Sequence, residues 1–150
     1  MTIEEFRAFV EKNLTPHTNE LTENLKSLQT TEFPDTVDSV FFEIQPDSLH
    51  SGVPLEIVLR DDEFDALPFE YDIPWNYDPG DVLVDIPYVV PDNGEYIDTL
   101  DYIPCAIGVF ADWLADAWRQ NVGSTRLKGY VYIHGQNTAL DLQTRESIPW

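Results

Sequence analysis

Lysine and arginine are absent from residues 61–118, although this stretch holds 15 of the chain's 28 acidic side chains. Over all 150 residues there are only 8 Lys and Arg, and the net charge is −20. Nucleic acid and anionic membrane are therefore poor partners, because their phosphates would be repelled. Basic proteins and cations are the natural attractants. The same charge repels itself in the compact state, so a substantial apolar core has to outweigh it.

Cysteine and long apolar runs are also scarce. Cys105 is the single cysteine, which excludes an intramolecular disulfide framework. The opening residues, MTIEEFRAFV, lack the basic and apolar regions of a signal peptide. No apolar run reaches 18 residues, so no transmembrane helix is expected. These absences favour a reducing, cytoplasmic location.

Catalytic and phosphate-binding motifs are missing. The three histidines, His17, His50 and His134, are far apart and form no zinc motif, and no glycine-rich phosphate loop is present. Cys105, His134 and Asp141 could be written as a nucleophile set. However, the apolar and acidic surroundings of Cys105 disfavour a thiolate, so a buried, inert cysteine is expected. With 28 acids, any carboxylate pair arises by chance. The sequence therefore predicts no enzyme and no cofactor, with a carboxylate-using hydrolase as the enzymatic alternative.

Acids and turns invite a comparison with calcium loops. An EF-hand loop needs oxygen ligands at positions 1, 3 and 5, glycine at 6 and glutamate at 12. With Asn76 at position 1, Gly80 falls at position 5 and Pro87 at position 12. With Asp72 first, position 3 is Pro74. Neither register works, so no metal site is predicted, although an irregular cation site stays open.

Three helices are predicted. The first begins with a capping box formed by Thr2 and Glu5 and ends before Pro16. A second covers about residues 19–29, and a third covers about residues 104–121, with its proline at the first position. Each has apolar residues at helical spacing, which predicts one face packed in the core. In the first helix these residues are Ile3, Phe6, Val10 and Leu14.

Five strands are predicted, at residues 36–45, 53–60, 82–90, 129–135 and 139–144. The first two form an antiparallel hairpin. In the fourth, Tyr130, Tyr132 and His134 alternate with Val131 and Ile133, which assigns them to opposite faces. The order of elements predicts one α+β domain over residues 1–150. It has a mostly antiparallel sheet, with two N-terminal helices and one C-terminal helix packed on it.

One segment combines acidic and aromatic residues. The stretch RDDEFDALPFEYDIPWNYDPGD, residues 60–81, holds eight acids and five large rings. Negative potential steers a basic partner, and Tyr and Trp supply anchoring contacts. In the alternative interpretation, the rings point inward and pin an irregular loop to the core. The binding interpretation predicts partner contacts at Asp72, Trp75, Tyr77, Asp78, Asp81, Asp85 and Tyr88.

The stretch WLADAWRQNVGSTRLKGYVYIHGQNTALDL has a Trp-rich helix pattern, then a strand and a closing Asp-Leu pair. Over residues 112–142 the chain resembles small acidic bacterial immunity-type proteins of polymorphic or contact-dependent toxin systems. Where a glycine pair would be expected, this chain has Asn121-Val122-Gly123. The resemblance implies an immunity protein, supplies no mechanism and transfers no binding residue.

Charge, rings and resemblance together predict a non-enzymatic protein that neutralises a basic partner, such as a toxin domain with nuclease activity. A scaffold domain with solubilising charge is the alternative from another class. A DNA mimic also stays open, although prolines and rings interrupt the regular charge spacing that mimicry needs.

Overall fold

The protein is described by a computed structural model that covers residues 2–44, 55–67, 99–122 and 126–150. The helices are α1 (Ile3–Leu14), α2 (Thr18–Thr30) and α3 (Thr99–Asn121). The strands are β1 (Ser39–Ile44), β2 (Leu55–Arg60), β3 (Lys128–Ile133), β4 (Thr138–Asp141) and β5 (Ser147–Pro149).

The five strands form one sheet in the order β2-β1-β3-β4-β5. All neighbours are antiparallel except β1 and β3, which run parallel. A parallel pair needs a long crossover, and α3 lies in the chain between these two strands. Phe41 on β1 stands opposite Val58 on β2 and Tyr130 on β3. The prediction of an α+β fold with a mostly antiparallel sheet is confirmed, as is the hairpin pairing of β1 with β2.

The main core lies between the helices and one face of the sheet. From β1 it receives Val40, Phe42 and Ile44, all fully buried. The helices contribute Phe6, Val10, Leu14, Leu21, Leu25, Leu28, Phe110, Leu114 and Trp118. Each such side chain stabilises the fold by about 1.5–3 kcal/mol on burial, which offsets the self-repulsion of the acidic chain.

The N-terminal capping box is present as predicted. Thr2 Oγ1 accepts from the Glu5 N–H at 3.1 Å, and Glu5 Oε2 accepts from the Thr2 N–H at 3.0 Å. The buried face of α1 starts at Phe6, since Ile3 is 42% exposed. Including Ile3 in the core was wrong, because the first turn of α1 lies beyond the packed face. A single 3₁₀ turn, Thr15–His17, joins α1 to α2, so helical backbone runs from residue 3 to residue 30.

Helix α3 begins at Thr99, five residues before the predicted start, and Pro104 lies inside it. Proline cannot donate to the carbonyl four residues earlier, which is why it was expected at the helix start. Pro104 is the sixth residue of α3 and lies past the first turn, so the helix lacks one backbone hydrogen bond at that position. The predicted strand at 82–90 lies outside the described residues.

Candidate protein-binding surface

The seven residues predicted to bind a partner all lie outside the described residues. They are Asp72, Trp75, Tyr77, Asp78, Asp81, Asp85 and Tyr88, and their role stays a prediction. Residues 60–67, the start of the same acidic-aromatic segment, are described. Arg60 and Phe64 contact aromatic rings on the sheet face opposite the helices, so the candidate surface is built from there.

Aromatic rings crowd this second face of the sheet. The Phe41 ring lies 4.9 Å from the Tyr130 ring and 4.6 Å from the Trp150 ring, measured between centroids. The Phe64 ring meets those of Tyr130 and Trp150 edge-on, at 5.9 and 5.7 Å. Phe41 and Tyr130 are buried, whereas Phe64, Tyr132 and Trp150 are half-buried. We call these five rings the aromatic cluster.

Arg60, at the end of β2, lies within the aromatic cluster. Its guanidinium carbon is 4.5 Å from the Trp150 ring centroid and 5.0 Å from that of Phe41. Its Nη2 donates to Glu43 Oε2 at 2.9 Å, and its Nη1 donates to the Phe64 carbonyl at 2.9 Å. The side chains of Arg60 and Glu43 are only 14% and 6% exposed. Such a desolvated pair is costly to break, because removing one partner leaves a buried charge uncompensated.

His134 completes this polar group from the end of β3. Its Nε2 lies 3.0 Å from Glu43 Oε1, but the geometry is not that of a hydrogen bond. The imidazole also contacts the Tyr132 ring, with centroids 5.2 Å apart. Glu43, on the inner strand β1, thus contacts the Arg60 guanidinium on β2 and the His134 imidazole just after β3.

Residues 61–65 form a tight acidic loop directly after Arg60. Asp61 Oδ1 accepts from the backbone N–H groups of Glu63 and Asp65, both at 2.9 Å. The Phe64 N–H donates to the Asp61 carbonyl, and the Asp61 N–H donates to the Asp65 carbonyl. The side chain of Asp61 therefore organises the loop, and Asp62, Glu63 and Asp65 are exposed.

Phe64 connects the acidic loop to the aromatic cluster. Its backbone has φ of 65°, a left-handed conformation that is uncommon for a bulky residue. The ring contacts described above and the Arg60 hydrogen bond to its carbonyl hold it there. In residues 60–67 the Phe64 ring therefore pins the loop to the sheet, and the neighbouring carboxylates are exposed. The binding interpretation of the segment stays a prediction.

The basic side chains of the sheet and α3 are engaged within the protein. Arg60 pairs with Glu43, Arg119 with Asp116, Lys128 with Asp38, and Arg145 with Asp112 and Asp116. Arg126 donates to the backbone carbonyls of Phe33, Pro34 and Val37. The exposed acids of the loop therefore act with little local compensation.

The negative potential reaches the buried Tyr130. Burial raises the pKa of the Tyr130 phenol, and the carboxylates of Asp141 and Asp38 raise it further. Negative charge at this face thus acts on a ring inside the aromatic cluster, as well as at the exposed loop.

A groove of about 470 Å³ lies on the helix side, between α3 and strands β3 to β5. Its walls are mostly apolar and include Ile107, Gly108, Ala111 and Leu140. Polar lining comes from His134, Gln136, Thr138 and Ser147. The groove provides an apolar surface, and neither a cysteine nor a carboxylate is among its described lining residues.

The nucleophile set considered from sequence is not assembled by the described contacts. His134 approaches Glu43, whereas Asp141 Oδ1 accepts from the backbone N–H groups of Gln143 and Thr144. Cys105 is half-buried against the core and is thus less buried than expected. On α3 it lies between the exposed Pro104 and the buried Ala106.

Within the described ranges, no group of three His, Cys, Asp or Glu side chains is placed to hold a metal ion. None of the helices in those ranges is long and apolar enough to cross a membrane. No family model matches the chain, and neither a curated protein nor a solved structure matches it. The resemblance to immunity-type proteins therefore stays a prediction.

Sequence reasoning missed the residues at the centre of this surface. Glu43 and Arg60 were assigned to strands without a partner, and Trp150 was given no role. In residues 55–60, Leu55, Ile57 and Leu59 alternate with other side chains, and this spacing assigns Arg60 to the face opposite these apolar residues. That is the signal the sequence offers. The acid that Arg60 contacts depends on the pairing register of β1 and β2. In this register Arg60 stands opposite Ser39 and reaches Glu43. The pattern of one strand does not specify that register.

Proposed function

We propose that this chain is a non-enzymatic acidic binding protein that neutralises a basic protein partner. The more specific form of the proposal is a cytoplasmic immunity protein that blocks a bacterial toxin domain, such as a nuclease. One observation carries it: the basic side chains of the sheet and α3 form ion pairs with carboxylates of the same chain, whereas the loop carboxylates are exposed. Such a surface attracts positive charge from a distance and speeds encounter with a basic protein.

The acidic loop supports this proposal better than a merely solubilising surface does. Solubilising charge needs no fixed geometry. Here Asp61 and Phe64 hold the loop in one conformation, at the cost of a left-handed backbone. Preorganised contacts lose less conformational entropy on binding. The predicted contacts from Asp72 to Tyr88 follow this loop in the sequence.

Co-purification from the source cell at low salt tests the proposal. The tagged protein should retain a stoichiometric basic partner, and that partner should release at high salt because exposed charges are screened. A combined variant, Asp62→Asn, Glu63→Gln and Asp65→Asn, should weaken the complex at least tenfold. This variant keeps Asp61 and Phe64, so the loop remains folded.

A matched variant controls for net charge alone. Glu4→Gln, Glu11→Gln and Glu23→Gln remove three exposed acids from α1 and α2. This variant should keep the affinity within about twofold. Equal weakening by both variants, or no basic partner at all, would favour the scaffold alternative. If the partner is a toxin, co-expression of the unaltered protein should restore growth of cells that produce it.

A further inference from the structure

The sheet face opposite the helices has no described helix over it. Helices α1, α2 and α3 pack on the other face, where the main core lies. Among the described residues, the buried apolar centre of the second face consists of Phe41, Tyr130 and Ala139. Around them Phe64, Tyr132 and Trp150 are half-buried, so parts of three large rings stay accessible. Rings of this kind supply anchoring contacts at protein interfaces.

Exposed acids surround these rings. Asp62, Glu63 and Asp65 follow β2, and Glu56 lies within β2 on the same face as Glu43, its cross-strand partner. The side chains of Glu56, Asp62, Glu63 and Asp65 are all exposed. The local positive charge of Arg60 is already neutralised by Glu43. An approaching cation therefore meets uncompensated carboxylates beside accessible rings.

The aromatic cluster already accommodates one cation. The Arg60 guanidinium stacks on Trp150 at 4.5 Å and on Phe41 at 5.0 Å. Ring faces attract guanidinium and ammonium groups, and nearby carboxylates strengthen that attraction. The chemistry that holds Arg60 would act equally on a cationic side chain from another molecule.

We propose that this face is where the basic partner docks: Tyr132, Trp150 and Phe64 contact an arginine-rich or lysine-rich segment whose cations pair with Glu56 and the loop acids. The inference rests on the proposed function and adds to it the docking face and the chemistry of the bound segment.

Hydroxyl-radical footprinting of the free protein gives the first test. Trp118, only 1% exposed in the main core, is the internal reference for a protected ring. Tyr132 and Trp150 should oxidise clearly faster than Trp118. If both are as protected as Trp118 in the free protein, the face is already covered and the inference is wrong.

Binding of a defined peptide gives the second test. The probe is a twelve-residue peptide with six arginines, and its control carries citrulline in place of each arginine. The arginine peptide should shift amide signals of β2 and β3 and protect Tyr132 from oxidation. Equal binding of the citrulline peptide, or shifts confined to α1 and α2, would overturn the inference, as would no binding.

Two substitutions separate the ring from the charge. Tyr132→Ala should weaken the arginine peptide about tenfold, and Glu56→Gln about threefold, because each removes one element of the surface. Glu56 is exposed, so its variant remains folded even if Tyr132→Ala does not. Glu4→Gln on α1 should leave binding unchanged; equal effects of Glu4→Gln and Glu56→Gln would contradict a localised site.

The natural complex distinguishes this inference from the proposed function. If a basic partner co-purifies but protects α1 and α2 while Tyr132 and Trp150 stay reactive, the docking face is wrong and the proposed function stands. If no basic partner exists, the proposed function itself fails. Protection of both rings by a basic partner supports the two together.

Discussion

Glu43 is the residue on which the polar part of the second sheet face depends. It is a buried carboxylate on the inner strand β1, between Arg60 and His134. Its charge is compensated by Arg60, so changing one member without the other leaves an unpaired charge in a desolvated place. Buried ion pairs of this kind contribute little net stability compared with apolar residues, yet breaking them is costly.

Glu43→Leu should therefore lower the free energy of unfolding by about 3–5 kcal/mol, since it leaves the Arg60 guanidinium unpaired. The double variant Glu43→Leu with Arg60→Met should recover most of that loss, because both charges are gone. Urea unfolding of both single variants and the double variant gives the coupling energy. Additive losses in the double variant would mean that the two side chains do not act as a pair.

Phe64 combines a left-handed backbone with a ring in the aromatic cluster, and two substitutions separate these features. Phe64→Ala removes the ring and keeps the backbone penalty, whereas Phe64→Gly removes both. The left-handed conformation costs a non-glycine residue about 1–2 kcal/mol. Phe64→Ala should therefore be less stable than Phe64→Gly by about 1 kcal/mol in urea unfolding. The reverse order, the usual one in helices and strands, would show that residue 64 does not keep a positive φ.

Tyr130 makes the free energy of unfolding depend on pH in the alkaline range. Burial raises the pKa of its phenol, so the folded protein keeps this proton at pH values where the unfolded chain loses it. The contribution of Tyr130 is therefore fully present below its ordinary pKa of about 10 and is lost as the pH rises through the folded value. Between pH 9 and 11, the unaltered protein should lose more unfolding free energy than Tyr130→Phe. Parallel curves for the two proteins would contradict this.

At the scale of elements, contact between β3 and α3 depends on one glycine. A Cβ at Gly129 would lie 2.7 Å from atoms of the Trp118 ring, which is fully buried. Gly129→Ala should therefore destabilise the protein by about 1–3 kcal/mol through overpacking. Gly108→Ala on α3 is the control, since no heavy atom lies within 4 Å of its added Cβ. Chemical denaturation of the two variants checks the difference, and equal effects would exclude a specific clash.

The elements with strong local signals were predictable. The capping box at Thr2, the apolar spacing of α1 and α2, and the alternation in β2 and β3 are local patterns that tertiary packing reinforced. The end of α3 at Asn121 was also near its predicted position, but its start was not, because a proline was treated as a boundary. Strand β5 was missed: it has only three residues, one of them Pro149, too few to show alternation.

The candidate surface was predictable in character but not in composition. A run of acids and rings after Arg60 pointed to an exposed charged loop anchored by aromatic side chains, and Phe64 fits that description. Trp150, Tyr132 and Glu43 come from three other strands or their ends. They meet because β1 pairs with both β2 and β3 and the sheet continues through β4 to β5, and such long-range pairing leaves no trace in a local pattern.

At the scale of the whole molecule, the net charge of −20 opposes folding. Screening should relieve this repulsion, because the Debye length falls from about 30 Å at 0.01 M salt to about 10 Å at 0.1 M. The free energy of unfolding should therefore rise with sodium chloride over this range. Chloride is the suitable salt, because sulfate strengthens apolar burial by a separate effect.

The variant Glu4→Gln, Glu11→Gln and Glu23→Gln shows whether self-repulsion is the cause. With three fewer negative charges, it should be more stable than the unaltered protein at 0.01 M salt and gain less when salt is added. Urea unfolding at both salt concentrations measures both effects. A fall in stability with salt would instead mean that internal ion pairs, such as those of Arg145 with Asp112 and Asp116, outweigh the repulsion among the acids.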